Sequence, residues 1–330
     1  MNLKGCRVLV TGAGGFIGSH LVERLVRDGC RVRAMLHYDS RADRSNLEHV
    51  AAEVLAEVEI IRGDVTDAHF MLRAVDGCAA VFHLAALIAI PYSYQAPGAF
   101  VQTNVVGTLN VLEACRWHGT PRLVHTSTSE CYGTAQYTPI DERHPLVGQS
   151  PYSASKIAAD KLVESYHLSF GVPAVVLRPF NTFGPRQSAR AVIPSILAQL
   201  LAGAEELRLG DLTTVRDMNY VSNTVDAFVA AAESEAAVGQ VVHVGSGRGC
   251  SIGELADLAM QVVGRRVPIV TEQQRLRPVG SEVRLLLCDW NRAEQLLGWK
   301  PRVALEEGLE RTARFIRDHL HLYRPQEYAV

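Results

Sequence analysis

Three observations predict an α/β fold with a doubly wound parallel sheet. Short β-branched runs alternate with amphipathic helical segments, a glycine-rich turn follows the first run, and 330 residues at 48% hydrophobic content suffice for a large buried core. The expected strands are "CRVLV" (6–10), "RVRAML" (31–36), "VEIIRGD" (58–64), "AVFHLA" (80–85), "RLVHTS" (122–127), "AVVLRP" (174–179) and a late seventh, "VVHVG" (241–245). Strands of this kind separated by helices are the pattern of a sheet covered on both faces.

The helices follow from spacing. In "SHLVERLVRDG", Leu21, Val22, Leu25 and Val26 form one stripe and Gly29 stops the helix. "NVVGTLNVLEACRWHG" (104–119) repeats this with Val105, Leu109, Leu112 and Gly119, and a third helix is expected from Tyr152 to Phe170. After Arg178 the alternation breaks at Pro179, Pro185 and Pro194. Residues 1–179 with 218–247 are therefore expected to form the sheet domain, and 180–217 with 248–330 a smaller, discontinuous domain.

Composition removes several function classes. Net charge is -2 and no Lys/Arg cluster provides a footprint for a phosphate backbone, so nucleic acid is not an expected partner. The opening apolar run is too short for a signal-peptide core, and the longest one, "AAVFHLAALIAI" (79–90), is too short for a membrane span. The seven cysteines never fall in C-x-x-C spacing, and the twelve histidines lack paired ligand spacing. The expectation is a reducing cytoplasm, with neither a disulfide framework nor a metal site.

"VLVTGAGGFIGSHLVERL" places Gly12, Gly15 and Gly18 between a strand and a helix. Each glycine has a task there: a tight turn, close approach of backbone to a pyrophosphate, and close packing of helix on sheet. That context identifies a dinucleotide site on a Rossmann sheet. Its choice between NAD and NADP stays open, because Leu36 stands where an acid would most simply close the second strand on the ribose. Asp39 is placed to reach a 2′-hydroxyl, while His37, Arg41 and Arg44 are placed to face a 2′-phosphate. Asp64, in "RGDV", either contacts adenine or caps the helix that begins near "TDAHF".

"SPYSASK" puts Tyr152 and Lys156 on one helical face. Lowering a tyrosine pKa by about three units to make a base takes about 4 kcal/mol, which an ammonium one turn away beside a positive nicotinamide ring can supply. The glycine turn, "TSTSE" (126–130) at a strand end, and then Tyr152 and Lys156 follow in chain order.

In that order they resemble the extended short-chain dehydrogenase/reductases, the NAD-dependent epimerase/dehydratase family. "FHLAA" (82–86), "TNVVGTLNVLEA" (103–114), "RPFNTFGPRQ" (178–187) and "RDMNYV" (216–221) extend the resemblance over nearly the whole chain. It implies a tightly bound NAD or NADP regenerated in each turnover, held by Gly12, Gly15, Phe16, Ile17, Gly18, His37, Asp39, Arg41, Asp64, Val65, Leu84, Ala85, Ala86, Tyr152, Lys156 and Pro179. It also implies a nucleotide-diphosphate sugar as substrate. Thr128 orients the sugar, Tyr152 is the base and Lys156 its partner in oxidising a C4 hydroxyl. A homodimer through the helices near 104–118 and 152–169 is implied as well.

Glu130 narrows the chemistry. Once C4 is a ketone the C5 proton is acidified, and a carboxylate two residues past Thr128 is placed to remove it; a 4-epimerase needs no such base. The bland reading is that Glu130 caps a turn or meets a local arginine. In the family, T-D-E or T-S-E here marks hexose 4,6-dehydratases, although nucleotide-sugar decarboxylases also carry T-S-E. "TSE" resembles the version in GDP-mannose 4,6-dehydratases, and Ser129 replaces the more familiar acid.

"HYDSRADRSNLE" (37–48), "LIAIPYSYQAP" (87–97), "QSPYSASKIAADKL" (149–162) and "NTFGPRQSARAVIPSI" (181–196) are similar to dehydratases of the legionaminic acid pathway, which act on nucleotide-linked N-acetylglucosamine. The implied substrate contacts are Ser93, Thr128, Asn181, Arg190, Arg216, Arg277 and Glu282. A diphosphate calls for guanidinium groups. Arg216 and Arg277 are the candidates, with pairing to Asp217 or Glu282 as the structural alternative. The expected activity is an NDP-hexose 4,6-dehydratase on an N-acetylhexosamine, with a 4-epimerase and then a decarboxylase as alternatives.

Overall fold

The computed structural model describes residues 1–41, 43–276 and 278–323. Twelve strands run in chain order: β1 Arg7–Thr11, β2 Arg31–Leu36, β3 Glu59–Arg62, β4 Ala80–His83, β5 Leu123–Thr126, β6 Ala174–Pro179, β7 Asn181–Phe183, β8 Leu207–Leu209, β9 Val215–Tyr220, β10 Val241–Val244, β11 Gly249–Ser251 and β12 Ile269–Thr271. Seven of them form one sheet in the order β10-β6-β5-β4-β1-β2-β3, with every pairing parallel. This is the doubly wound Rossmann sheet expected from the alternation, with the chain winding outward from β1 through β2 and β3 on one side and from β4 through β5, β6 and β10 on the other.

Strand pleat and helix stripe explain the two cores. Val8 and Val10 turn to one face, packing with Leu21, Val22 and Leu25 of the first helix, Phe16–Arg27, and with Phe228 of a later one, Val221–Glu233. Leu9 and Val81 turn to the other face, against Met71, Val111, Leu112 and Val163. Each fully buried Leu or Val on these stripes contributes about 1.5–3 kcal/mol of transfer free energy.

The helix expected from 104 to 119 runs from Gly107 to His118 and is entered through a π-turn, Val101–Val106. Asn104 sits in that turn, buried, with its amide committed to a loop and to the next helix. The third helix, Pro151–Phe170, begins with a reciprocal Ser150/Ser153 cap and ends at Gly171 in a left-handed conformation.

The rest of the chain builds a three-stranded sheet, β11-β9-β7, and a two-stranded one, β12-β8, packed with helices Val192–Leu201, Ile252–Val263 and Leu305–Asp318. Strand β9 belongs to the smaller sheet through Tyr220, and the chain returns to the large sheet with the helix that starts at Val221. Among the described residues, no helix is long and apolar enough to cross a membrane.

Candidate active site

Register brings the cofactor end together. Thr11, the last residue of β1, pairs with Met35 of β2 and with His83 of β4, so three strand ends meet at one edge. There the Thr11 hydroxyl accepts from the backbone N–H groups of Leu84 and Ala85, both at 3.1 Å, and meets His83 Nδ1 at 2.9 Å. The other ring nitrogen of His83 lies 3.0 Å from the Thr108 hydroxyl, which fixes the ring.

Gly12 and Gly18 have no room for side chains. A Cβ on Gly12, whose φ is +68°, would lie 2.8 Å from Ala85 N, and one on Gly18 would lie 2.2 Å from the Gly12 carbonyl. Gly15 begins the first helix without a side-chain cap, and no acid occupies the first turn around Phe16, Ile17 and Gly18. The positive end of the helix and its free N–H groups are thus presented to an anion. The cradle fits a dinucleotide pyrophosphate.

At the adenosine end Leu36 is buried and its Cδ2 would lie 2.8 Å from a Cβ on Gly14, so the second strand closes on the loop with an apolar group. His37 is exposed, with Nε2 3.2 Å from an Asp64 carboxylate oxygen. Asp64 also accepts from Thr66 N at 2.8 Å. Burial opposes its ionisation, but the bonds from Thr66 and the nearness of His37 hold its pKa below the usual carboxylate value. The cap of the following helix is Asp67, which accepts from Phe70 N, so the capping alternative for Asp64 does not hold. Asp39 accepts from Arg41 N at 3.1 Å in a local turn. Val65 is buried and would crowd a side chain at Gly107.

The chemistry sits where β5, β6 and the helix from Pro151 converge. Thr128, extended, caps a short 3-10 turn, Ser129–Tyr132, by accepting from Glu130 N at 3.2 Å. Ser129 is buried and Glu130 half-buried. Burial raises the Tyr152 pKa, and the nearby Thr128 side chain works the other way. Lys156 donates to the Thr126 carbonyl at 2.7 Å; burial lowers its pKa, and Asp160 opposes that. Thr128, Glu130, Tyr152 and Lys156 therefore lie in one region, where the end of β5 meets the helix from Pro151, and Pro179 ends β6, paired with Val244.

A buried polar network beneath this site is absent from the sequence reading. Asp160, one turn past Lys156, takes Arg178 at 2.6 Å and the Ser127 hydroxyl at 2.5 Å. Arg178 reaches the Ser127 hydroxyl at 3.1 Å and also donates to the Tyr132 hydroxyl, which in turn meets His243 Nε2 at 2.5 Å. Burial would push the Asp160 carboxyl up, but Arg178, His125 and Lys156 outweigh it and hold it well below the ordinary range. Asn104 adds a second tie, from its amide to Ser155 Oγ at 2.9 Å and to both backbone groups of Leu87. The available signals were the Lys156 to Asp160 spacing of one helical turn and an arginine at the end of an apolar strand.

Across the cleft Arg216 is buried on β9 and contacts Glu282 at 3.3 Å. Asp217 instead accepts from the backbone of Ser246, Gly247 and Cys288, so of the two pairing partners considered for Arg216 it is Glu282 that meets it. Asn181 Oδ1 is buried without a hydrogen-bond partner among the described residues, an acceptor suited to a ligand donor. Ser93 is fully buried and donates to the Ile90 carbonyl, while Arg190 is exposed and turned onto Ser188. Arg277 lies outside the described residues. Tyr94 Oη meets Ser281 Oγ at 2.5 Å, and that serine donates to the Gln149 carbonyl, so the 278–282 segment bridges to the large sheet's loops.

Such a fold, with a pyrophosphate cradle next to a tyrosine and lysine one turn apart, defines an enzyme that moves hydride through a nicotinamide dinucleotide. A family model described as GDP-mannose 4,6 dehydratase matches residues 9–312. The chain is 36% identical over 317 residues to a UDP-glucose 4-epimerase of Mycolicibacterium smegmatis, covering 94% of this chain and 99% of that one. It is 33% identical over 320 residues to a dTDP-glucose 4,6-dehydratase of Streptomyces antibioticus, covering 96% and 94%. A dTDP-glucose 4,6-dehydratase of Streptomyces venezuelae, solved with NAD bound, superposes with a TM-score of 0.86 at 30% identity, over 97% of this chain and 100% of that one. The chain belongs to the GDP-mannose 4,6-dehydratase family, within the extended short-chain dehydrogenase/reductases that act as NAD-dependent nucleotide-sugar epimerases and dehydratases.

Proposed function

We propose that this protein is an NDP-hexose 4,6-dehydratase acting on NDP-N-acetylglucosamine, with NAD as its resident cofactor. The observation that carries the reading is Glu130, half-buried in the turn capped by Thr128, at the site of Tyr152 and Lys156. The dehydratase relatives, and the NAD bound in the Streptomyces venezuelae enzyme, support it.

The bound dinucleotide supplies a hydride acceptor at C4 of the sugar and later a hydride donor at C6. Thr128 orients the C4 hydroxyl, and Tyr152 as phenolate takes its proton while C4 becomes a ketone, with the Lys156 ammonium stabilising that phenolate. Glu130 then removes the acidified C5 proton. The C6–O bond breaks and the hydroxyl leaves as water, carrying a proton from Glu130, because the Ser129 hydroxyl is no acid at neutral pH. With hydride supplied to C6 by the dinucleotide, C5 would take a proton from solvent and Tyr152 would release to solvent the one it took from the C4 hydroxyl, giving the 4-keto-6-deoxy sugar, one water lighter than the substrate.

The lobe built from 180–217 and 248–330 holds the sugar nucleotide in this reading, with Arg216 on the diphosphate and Asn181 toward the sugar. A homodimer is supported by Trp117 and Leu168, 79% and 76% exposed on the two helices that the family resemblance puts at the interface. Seven free cysteines, six of them buried, support a cytoplasmic location. The 36% identity to a UDP-glucose 4-epimerase favours 4-epimerisation as the second reading.

Incubation with UDP-, GDP-, CDP- and dTDP-linked glucose, mannose and N-acetylglucosamine, followed by mass spectrometry, separates the two. The dehydratase reading expects one N-acetylglucosamine nucleotide to lose the mass of a water. Conversion at unchanged mass would identify an epimerase.

A further inference from the structure

The turn that carries Glu130 is poorly held by its own backbone. Its hydrogen bonds, Cys131 N to Thr128 O and Gly133 N to Glu130 O, are 3.3 and 3.4 Å long, at the loose end for N–H···O. Four residues of 3-10 geometry give little intrinsic rigidity. Yet a base that must take one proton of a sugar needs a fixed position.

Tyr132 ends this turn, two residues past Glu130, and is fully buried. Its hydroxyl lies between the Arg178 guanidinium and His243 Nε2, and His243 is held from its other side by the Ile140 carbonyl at 3.2 Å. Arg178 in turn clamps Asp160 on the helix that carries Tyr152 and Lys156, and bonds Ser127 at the end of β5. One guanidinium thus ties three segments: the helix of the oxidising pair, the strand end leading to Thr128, and the turn of Glu130. Buried ion pairs are weak sources of net stability compared with apolar packing of the same volume, so their retention under a site is better explained by the geometry they impose.

We propose that Arg178 and Tyr132 are positioning residues that hold the Glu130 turn in register with Tyr152 and Lys156, coupling water elimination to C4 oxidation. The inference rests on the dehydratase reading above. When the Tyr132 hydroxyl is removed, Tyr152 and Lys156 keep the helix that carries them and the Thr126 carbonyl, and Thr128 keeps its place beside Ser127, which stays bonded to Asp160 and Arg178. Oxidation should survive that change and elimination should not.

The test is Tyr132→Phe in the full-length enzyme with its cofactor, mixed with the nucleotide sugar that the wild type dehydrates. Reduced nicotinamide absorbance is followed beside water loss and C5 deuterium exchange. Expected is cofactor reduction near the wild-type rate that persists, with product formation and C5 exchange lowered by about 100-fold, the scale of a 1 Å misplacement. His243→Gln, which loosens only the far side of the Tyr132 hydroxyl and leaves Arg178 on Asp160 and Ser127, should give the same accumulation to a smaller degree. Tyr152→Phe, as control, should show no reduction at all. Oxidation and elimination falling together in variants with wild-type melting and cofactor content would overturn the proposal, as would unchanged turnover. If the wild type itself releases no water from any nucleotide sugar, the functional reading fails and this proposal with it.

Discussion

Around the glycine loop the backbone presents the polar groups, whereas in the smaller lobe side chains present them. Gly12, Gly15 and Gly18 leave helix N–H groups open at the edge where β1, β2 and β4 end in register. In the smaller lobe, Arg216 rests against Glu282 and Asn181 Oδ1 has no hydrogen-bond partner among the described residues, each on a different strand. A backbone cradle needs only local sequence, while a side-chain constellation needs the whole topology. Between them the Asp160–Arg178–Tyr132 network supports the chemistry with buried charge.

That contrast orders the expected effects of substitution. Asp160→Asn has the largest consequence for the fold, because it leaves the Arg178 guanidinium buried without its counter-charge, at a cost of about 3–5 kcal/mol by denaturant unfolding at neutral pH. The pH dependence has a definite sign. The carboxyl is held below its ordinary value in the folded state, so its contribution is complete above the unfolded carboxylate pKa of about 4 and is lost as pH falls from there toward the folded value. The wild type should therefore lose stability more steeply below about pH 4 than Asp160→Asn does.

Gly18→Ala should come next. Its Cβ would lie 2.2 Å from the Gly12 carbonyl, so helix and loop must part, costing about 1–3 kcal/mol, and on gel filtration the variant should lose cofactor while the wild type is expected to keep it. A Gly18→Ala protein that keeps full cofactor would break the contrast between the two sides of the cleft. Arg216→Lys is the mildest. A point charge replaces a fork, and KM for the nucleotide sugar should rise by about ten-fold with kcat little changed.

Legibility in the sequence follows the same division. The seven strands of the large sheet and the helix carrying Tyr152 and Lys156 were readable because pleat and helical stripe are local patterns, and the glycine turn because strand and helix flank it. The start of the 107–118 helix was placed early, since nothing in "TNVVG" marks a π-turn; Asn104 imposes it through contacts to Leu87 and Ser155. Asp67 rather than Asp64 caps the next helix, a choice that two acids three residues apart leave open until the backbone is seen. Arg178 and Tyr132 are 46 residues apart, and Tyr132 and His243 are 111 apart. No spacing rule joins such residues, and only the convergence of β5, β6 and β10 brings them together.

Glu130→Gln tests the central claim most directly, because it keeps the size of the side chain and removes only the base. With the wild-type substrate in deuterated water, the account predicts that the variant still reduces its cofactor while losing C5 exchange and water elimination. A variant that keeps most of its turnover, with product of unchanged mass, would contradict the account and return the protein to the 4-epimerases.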